Sequence, residues 1–253
     1  MLELKQICFS VPEEDGSRRE LIHDLDFTVE DQKLVVITGP NGSGKSTLAK
    51  LIAGIERPDS GQILLDGQDI TDLDITQRAR LGIGFAFQQP VRFKGIRVFD
   101  LLRIASGKAL SFKEACDYLS EVGLCARDYV KREVSASLSG GELKRIEIAT
   151  VLARHSRLSV FDEPEAGIDL WSFQNLIQVF QSMREKIQGS SMVIISHQER
   201  ILKIADEIAL LSEGKIQRVG SREEMLPDLV GTEAAQERCV RWKEGGSEDA
   251  CAQ

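Results

Sequence analysis

Short apolar runs alternate along the chain with longer stretches whose apolar residues recur at helical spacing, an order typical of an α/β protein. We expect strands at the apolar runs, and the continuously apolar run from Leu34 to Thr38 is expected to be buried on both faces of the sheet. The predicted strands are Leu2 to Phe9, Leu21 to Val29, Leu34 to Thr38, Ile63 to Leu65, Gly84 to Phe87, Leu158 to Phe161, Met192 to Ile195, Ile208 to Leu211 and Lys215 to Val219.

A block from Pro90 to about Leu138 shows helical patterning only. Ser111 and Glu114 have the spacing of a capping box there, and an apolar helical face follows them. The alternation of strands and helices then resumes, with a predicted helix over Leu170 to Ile187. A helical block is therefore predicted to be inserted in one α/β domain. The predicted division is a core of residues 1–89 and 146–226, a helical subdomain of residues 90–145 and a polar C-terminal tail of residues 227–253.

Composition and charge narrow the class of protein. The chain has 253 residues, of which 42% are hydrophobic and 28% charged, as in an ordinary globular domain. The net charge of -8 argues against nucleic acid or an anionic membrane surface as a partner. No apolar run approaches the roughly 18 residues of a membrane span, and the five cysteines are scattered as free thiols would be. We therefore expect a cytoplasmic protein without direct membrane insertion.

A glycine-rich loop lies between the predicted strand Leu34 to Thr38 and a predicted helix, Ser46 to Ala53. It fits the pattern G-x-x-x-x-G-K-[ST], which in this context is typical of a phosphate-binding loop. Glycines let backbone N–H groups turn toward phosphate oxygens, and the start of the helix adds partial positive charge. A glycine-rich turn that binds nothing is the alternative. The candidate nucleotide-binding residues are Gly39, Pro40, Asn41, Gly42, Ser43, Gly44, Lys45, Ser46 and Thr47.

Two adjacent carboxylates, Asp162 and Glu163, end another predicted strand. Lys45 is placed to reach the β- and γ-phosphates, and the Ser46 hydroxyl is a candidate ligand of Mg²⁺. Beside such a loop, Asp162 can also hold Mg²⁺, and Glu163 can polarise the attacking water as a general base. A solvated strand end is the commoner explanation of paired carboxylates, so this hypothesis depends on the phosphate loop.

The segment Leu138-Ser139-Gly140-Gly141-Glu142 resembles the signature motif of ATP-binding cassette (ABC) ATPases. Its serine and glycines open a predicted helix, and a helix start is a second place where phosphate can bind. A simple serine N-cap is the structural alternative. The resemblance implies that Ser139, Gly140 and Gly141 contact the γ-phosphate held by a partner chain, so that ATP joins two copies in a homodimer.

Three further positions resemble family motifs. Gln88 matches the Q-loop glutamine, Asp169 the D-loop and His197 the switch histidine. The resemblance implies an ATPase that uses ATP and Mg²⁺, with Glu163, His197 and Gln88 as catalytic residues, and with Ser46, Gln88 and Asp162 at the metal. It also implies a P-loop NTPase fold, with a RecA-like core, an antiparallel β subdomain and an inserted α-helical subdomain.

Within that family, several segments resemble the SufC-type ATPase of the SUF iron–sulfur cluster assembly system. They are the residues from Phe85 to Val91, from Ser139 to Arg145 and from Ser196 to Leu202, together with Val11 where many cassettes stack adenine on an aromatic ring. The resemblance implies that a SufB/SufD-like scaffold docks at the Q-loop and the helical subdomain. The alternative is the nucleotide-binding subunit of an ABC membrane transporter, at the membrane periphery. A cassette of DNA repair or translation is least favoured, because of the charge.

Overall fold

The computed structural model describes residues 1–13, 15–135, 137–186 and 189–229. The strands are β1 (Leu2–Pro12), β2 (Arg18–Val29), β3 (Leu34–Thr38), β4 (Ser60–Leu65), β5 (Gln68–Asp69), β6 (Ile83–Ala86), β7 (Leu158–Asp162), β8 (Ser191–Ile195), β9 (Glu207–Ser212) and β10 (Lys215–Ser221). The helices are α1 (Lys45–Ala53), α2 (Ile75–Arg80), α3 (Val98–Ser106), α4 (Phe112–Glu121), α5 (Ala126–Tyr129), α6 (Gly140–Arg154), α7 (Leu170–Lys186) and α8 (Glu199–Leu202). Residues 222–229 are also helical.

The central sheet has six strands in the order β10-β9-β3-β8-β7-β6. Neighbouring strands are parallel from β9 to β6, and β10 is antiparallel to β9. Every residue of β3, β7 and β8 is buried, which confirms the prediction for the continuously apolar β3. Because parallel strands end at the same edge, Thr38, Asp162 and Ile195 lead into loops that lie side by side.

A second sheet of four antiparallel strands has the order β2-β1-β4-β5. Its apolar side chains form one core with α1 and with one face of the central sheet. The strand β1 runs to Pro12, beyond the predicted end at Phe9, because its last residues still pair with β2 across the turn after Pro12. The sheet therefore lies beside the loop between β3 and α1.

Helices α3, α4 and α5 fill the predicted helical block and share a second core with α6. The predicted capping box is present at the start of α4, where the Ser111 side chain accepts from the Glu114 backbone N–H. Helix α6 continues through the predicted boundary between residues 145 and 146. The division of the chain into subdomains stays a prediction.

The structure has helices that the apolar pattern does not predict, among them α2 and α8. Helix α2 has six residues, and its start at Asp74 is closed by a capping box with Gln77. Its one buried side chain is Arg78, whose guanidinium donates to four backbone carbonyls. Most of the predicted polar tail, residues 230–253 with Cys239 and Cys251, lies outside the described residues. In the part that is described, no helix has the length and hydrophobicity to cross a bilayer.

Candidate functional site

The loop from Gly39 to Gly44 is held between the two sheets. A Cβ at Gly39 would lie 1.9 Å from the Leu211 carbonyl oxygen in β9, and a Cβ at Gly44 would lie 2.8 Å from Cδ1 of Ile22 in β2. Both glycines have positive φ, at 144° and 100°, a region that side chains disfavour. The sequence therefore specifies a tight turn whose backbone N–H groups collect at the start of α1, where an anion binds well.

Lys45, the first residue of α1, is buried beneath this loop. Its Nζ donates to the carbonyl oxygens of Gly39 and Pro40, each at 2.8 Å. Burial lowers the pKa of Lys45, and the carboxylates of Glu163 and Asp162 oppose that shift. The Ser43 hydroxyl is also buried, without a hydrogen-bond partner. An ammonium group and an orphan hydroxyl at one turn fit a bound phosphate, whose oxygens accept from both.

Ser46 and Asp162 meet at the carboxyl edge of the central sheet. The Ser46 hydroxyl donates to Oδ1 of Asp162 at 2.9 Å. Burial raises the pKa of Asp162, and the neighbouring Glu163 carboxylate adds to the rise. A hydroxyl and a carboxylate are oxygen ligands of the kind that Mg²⁺ takes. The donor set therefore fits the ion, whose charge would offset the cost of keeping Asp162 ionised.

Glu163 follows Asp162 in a left-handed backbone conformation, with φ at 43°. Its backbone N–H donates to the Ile195 carbonyl at 3.0 Å, which ties the end of β7 to the end of β8. Its side chain accepts a short hydrogen bond from the Gln88 amide. Gln88 of the Q-loop and Glu163, which directly follows β7, are therefore in contact.

His197 lies in the loop after β8, with its side chain exposed. Its Nε2 is 3.4 Å from the Gln198 side-chain amide. The preceding residue, Ser196, is buried; its hydroxyl donates to Oε1 of Glu165 and accepts from the Gln198 backbone N–H. This contact joins the loop of His197 to the loop after Glu163.

Glu165 is the residue at this site that sequence reasoning missed. Its Oε2 is buried without a hydrogen-bond partner. Burial raises the pKa of Glu165, while the Ser196 hydroxyl and the nearby His197 lower it. The only sequence signal is its place two residues after Glu163, in a turn where an exposed glutamate is the ordinary expectation.

The predicted signature residues begin α6 as expected. The Ser139 hydroxyl accepts from the Glu142 N–H at 3.3 Å, and the Glu142 carboxylate accepts from the Ser139 N–H at 2.6 Å. Ser139 and Gly140 are exposed. A Cβ at Gly141 would contact the Gly167 carbonyl oxygen at 3.7 Å, so the start of α6 lies beside the predicted D-loop. Asp169 accepts there from the Ser172 N–H.

The structure does not bring all candidate residues together within one chain. Gln88, Glu163 and the phosphate loop surround one space at the edge of the central sheet. Ser139 opens onto the surface instead, and in the described ranges no hydrogen bond joins it to the phosphate loop. The two helix starts that are candidates for binding phosphate, at Lys45 and at Ser139, are therefore separate on one molecule.

Comparison with known proteins gives the family. The family model described as ABC transporter matches residues 22–166. The chain is 38% identical, over 82% of its length and 85% of the relative, to an uncharacterized ABC transporter ATP-binding protein of Methanocaldococcus jannaschii. It is 35% identical to the sulfate/thiosulfate import ATP-binding protein CysA of Synechocystis sp., over 81% of this chain and 57% of the relative. It is 32% identical to the probable ATP-dependent transporter ycf16 of Antithamnion sp., over 85% and 89%.

Solved structures share the fold. An ATP-binding cassette in a dimeric post-hydrolysis state with ADP and Pi has a TM-score of 0.79 at 24% identity, covering 88% of this chain and 99% of that one. A bacterial Atm1-family ABC exporter with ATP bound has a TM-score of 0.79 at 26% identity, covering 93% of this chain and 42% of that one. The predicted P-loop NTPase fold is confirmed.

All three relatives carry the names of transporter proteins, so the narrower SufC-type resemblance finds no support in them. The coarser prediction is confirmed: the chain is an ATPase that uses ATP with Mg²⁺. On the family match, the 38% identity over 82% of the chain and the fold, this protein belongs to the ABC transporter ATP-binding family.

Proposed function

We propose that this chain is the nucleotide-binding subunit of an ABC transporter and that two copies close around ATP. The observation that carries the proposal is the separation of the two phosphate-binding helix starts, at Lys45 and at Ser139. A γ-phosphate held by the first is reached by the second only from another copy. The names of the relatives, among them a sulfate/thiosulfate import protein, support a transporter rather than an assembly machine.

The candidate residues then have the following roles. The loop N–H groups and Lys45 bind the β- and γ-phosphates. Ser46, Asp162 and Gln88 would hold Mg²⁺, which would neutralise charge on the phosphates. Glu163 accepts the proton of the attacking water. In the same site, His197 donates a hydrogen bond to the γ-phosphate, and Ser139, Gly140 and Gly141 of the second copy contact it from the other side, with Asp169 at the dimer interface.

An apolar groove beside Gln88 is the proposed docking site for the partner. We call it the Q-loop groove; it is lined by Phe85, Phe87, Val91, Phe93, Leu101 and Ile104, among others. Ile104 is 65% exposed, and Val91 and Phe93 are exposed as well. A contiguous apolar patch of this kind marks an interaction site more often than a bare surface.

The charge around the groove indicates the chemistry of the partner. The segment from residue 90 to residue 108 carries five basic side chains and one acidic one, within a chain of net charge -8. The acidic one, Asp100, is already paired with Arg97 and Arg103. We therefore propose a partner helix with an apolar face and acidic flanks, supplied by the cytoplasmic side of a membrane permease.

ATP-driven closure is tested by the Glu163→Gln variant. We expect it to bind Mg-ATP, to turn over very slowly and to elute as a dimer in size-exclusion chromatography with light scattering. The matched control, a Lys45→Ala/Glu163→Gln double variant, should stay monomeric because it lacks the phosphate ligand. A monomeric Glu163→Gln protein at saturating Mg-ATP would count against the proposal.

The partner is tested in the native cell with a photo-crosslinker at position 93, where the exposed Phe93 lines the Q-loop groove. Ile104→Asp should abolish the crosslinked complex, whereas Phe112→Asp should preserve it, because Phe112 is 49% exposed but lies outside the groove. A polytopic membrane protein crosslinked through an acidic helix supports the transporter. A SufB/SufD-like scaffold at the same groove would replace it with the assembly function.

A further inference from the structure

Two charged side chains of α6 hold the backbone of the Q-loop. Lys144 is fully buried, and its Nζ donates to the Phe87 carbonyl and lies 3.5 Å from the Gln88 carbonyl. One turn further along, Oε1 of Glu147 accepts from the Phe87 N–H at 3.0 Å. Lys144 and Glu147 also pair with each other, Nζ to Oε2, at 3.3 Å. Both peptide groups that flank Phe87 are therefore bonded to α6.

The place of Phe87 in the chain explains why it needs these partners. Strand β6 ends at Ala86, so Phe87 has left the sheet and its backbone groups have no strand to pair with. A buried N–H or carbonyl without a partner costs free energy. Water could satisfy an exposed loop, but this one is covered by α6, and the Lys144 and Glu147 side chains take that role.

Stability alone does not account for an ion pair here. Burial of Glu147 raises its pKa, and the Lys144 ammonium opposes the rise. Replacing a buried ion pair by apolar side chains of similar size is often neutral or stabilising. The charges of Lys144 and Glu147 are therefore better explained by what they position than by what they contribute to folding.

The held segment joins two surfaces. The Phe87 ring lines the Q-loop groove and packs edge-on against Phe85, with centroids 4.8 Å apart. The next residue, Gln88, reaches the Glu163 carboxylate. Glu147 itself lines the groove as well. The backbone of Phe87 and Gln88 therefore links the groove to Glu163, and a displacement at either surface would be transmitted through it.

We propose that Lys144 and Glu147 act as positioning residues, a latch on the signature helix that fixes the Q-loop backbone so that Gln88 is placed against Glu163. Neither side chain is among the residues proposed to bind nucleotide or Mg²⁺. The inference rests on the proposed role of Gln88, and it adds that α6 sets the position of Gln88. Movement of α6 or of a groove partner would then alter hydrolysis through this latch.

The test compares Lys144→Met, Glu147→Met and the double variant, each with and without Gln88→Ala. The single variants leave one buried charge unpaired and should melt at lower temperature, whereas the double variant should regain most of the loss. For the double variant we expect kcat for Mg-ATP to fall about tenfold or more, as is typical when a supporting partner is removed, with KM changed less than about twofold because the phosphate loop is intact.

The Gln88→Ala background distinguishes an effect on kcat that acts through the position of Gln88 from a general structural effect of the substitutions. If the latch acts through Gln88, the double variant should lower kcat no further once Gln88 is gone. An equal additional loss in that background, or an unchanged kcat in the first, would overturn the proposal. Arg184→Met, which removes a pair with Asp206 away from the Q-loop, is the control and should keep its kcat.

A second measurement does not depend on hydrolysis. Hydrogen exchange of the Phe87 amide in the nucleotide-free protein should be faster in the double variant, since its acceptor on Glu147 is gone. Unchanged protection of that amide would overturn the latch even where turnover falls. Faster exchange in a protein whose Gln88→Ala variant turns over normally would instead locate the failure in the role proposed for Gln88.

Discussion

Replacing Ser139 tests the proposed contact between two copies, because this residue has two roles that different substitutions separate. Its hydroxyl caps α6 by accepting from the Glu142 N–H at 3.3 Å. It is also proposed to contact the γ-phosphate of the other copy. Ser139→Ala removes both contacts. Ser139→Asp keeps an N-cap oxygen and adds a negative charge at the helix start, where the helix dipole favours it.

The structure gives a magnitude for each role. Loss of a cap of this kind costs about 1 kcal/mol, which for a chain of this size lowers the melting temperature by roughly 2–4 °C. Ser139→Asp should melt within about 1 °C of the parent, since aspartate caps as well as serine. If the introduced carboxylate faces a γ-phosphate, the two negative charges repel each other by about 1–4 kcal/mol, the range between water and a protein surface. A dimer contains two such sites, so the repulsion counts twice.

The assay is ATP-dependent dimerisation in the Glu163→Gln background, beside calorimetric melting of the nucleotide-free protein. We expect Ser139→Asp to keep the melting temperature of the parent and to form no dimer. Ser139→Ala should have a lower melting temperature and should dimerise only in part. An aspartate variant that dimerises at the same Mg-ATP concentration as the parent would refute the contact across the two copies. One that melts as low as the alanine variant would refute the capping argument.

Two further variants test single groups at the phosphate loop. Lys45→Ala should weaken ATP binding about 10- to 100-fold in calorimetry, as expected for loss of a charged hydrogen-bond donor, and unchanged affinity would remove Lys45 from the phosphates. Glu165→Gln should raise the melting temperature of the nucleotide-free protein at pH 8, because the raised pKa of Glu165 means that its ionised form is disfavoured when folded. The gain should shrink as the pH falls toward the unfolded-state pKa, where the glutamate is protonated in both states; a gain that is constant with pH would contradict it.

Structural features that depend only on residues close together in the sequence could be predicted. The glycine loop, the buried strands and the cap at Ser139 each depend on spacing within a few positions, so the pattern alone determines them. Only the family resemblance indicated that Glu163 and Gln88 belong to one site, because the two residues are 75 positions apart. Helix α2 was missed because six residues with one buried side chain give no apolar period.

Contacts of charged side chains with groups far away in the sequence could not be predicted. Lys144 and Glu147 have the i,i+3 spacing of an ordinary exposed ion pair on a helix. Only the folded structure shows that the Q-loop covers them. Glu165 is similar, since its burial results from packing against Ser196, which follows another strand. The partner is even harder to predict from the sequence, because the residues that line the groove come from separate segments and show no periodic pattern.

The continuity of α6 has a mechanical consequence. Its 15 residues form a rod, which at the usual rise is about 22 Å long. At one end Arg154 is anchored to the Ala79 carbonyl of the core, and at the other Ser139 opens onto the surface. A pivot of about 5° around the anchored end sweeps the tip through about 2 Å. That is more than a hydrogen bond to phosphate tolerates, so a small displacement beside the groove would be enough to make or break the contact proposed between Ser139 and the ATP of a second copy.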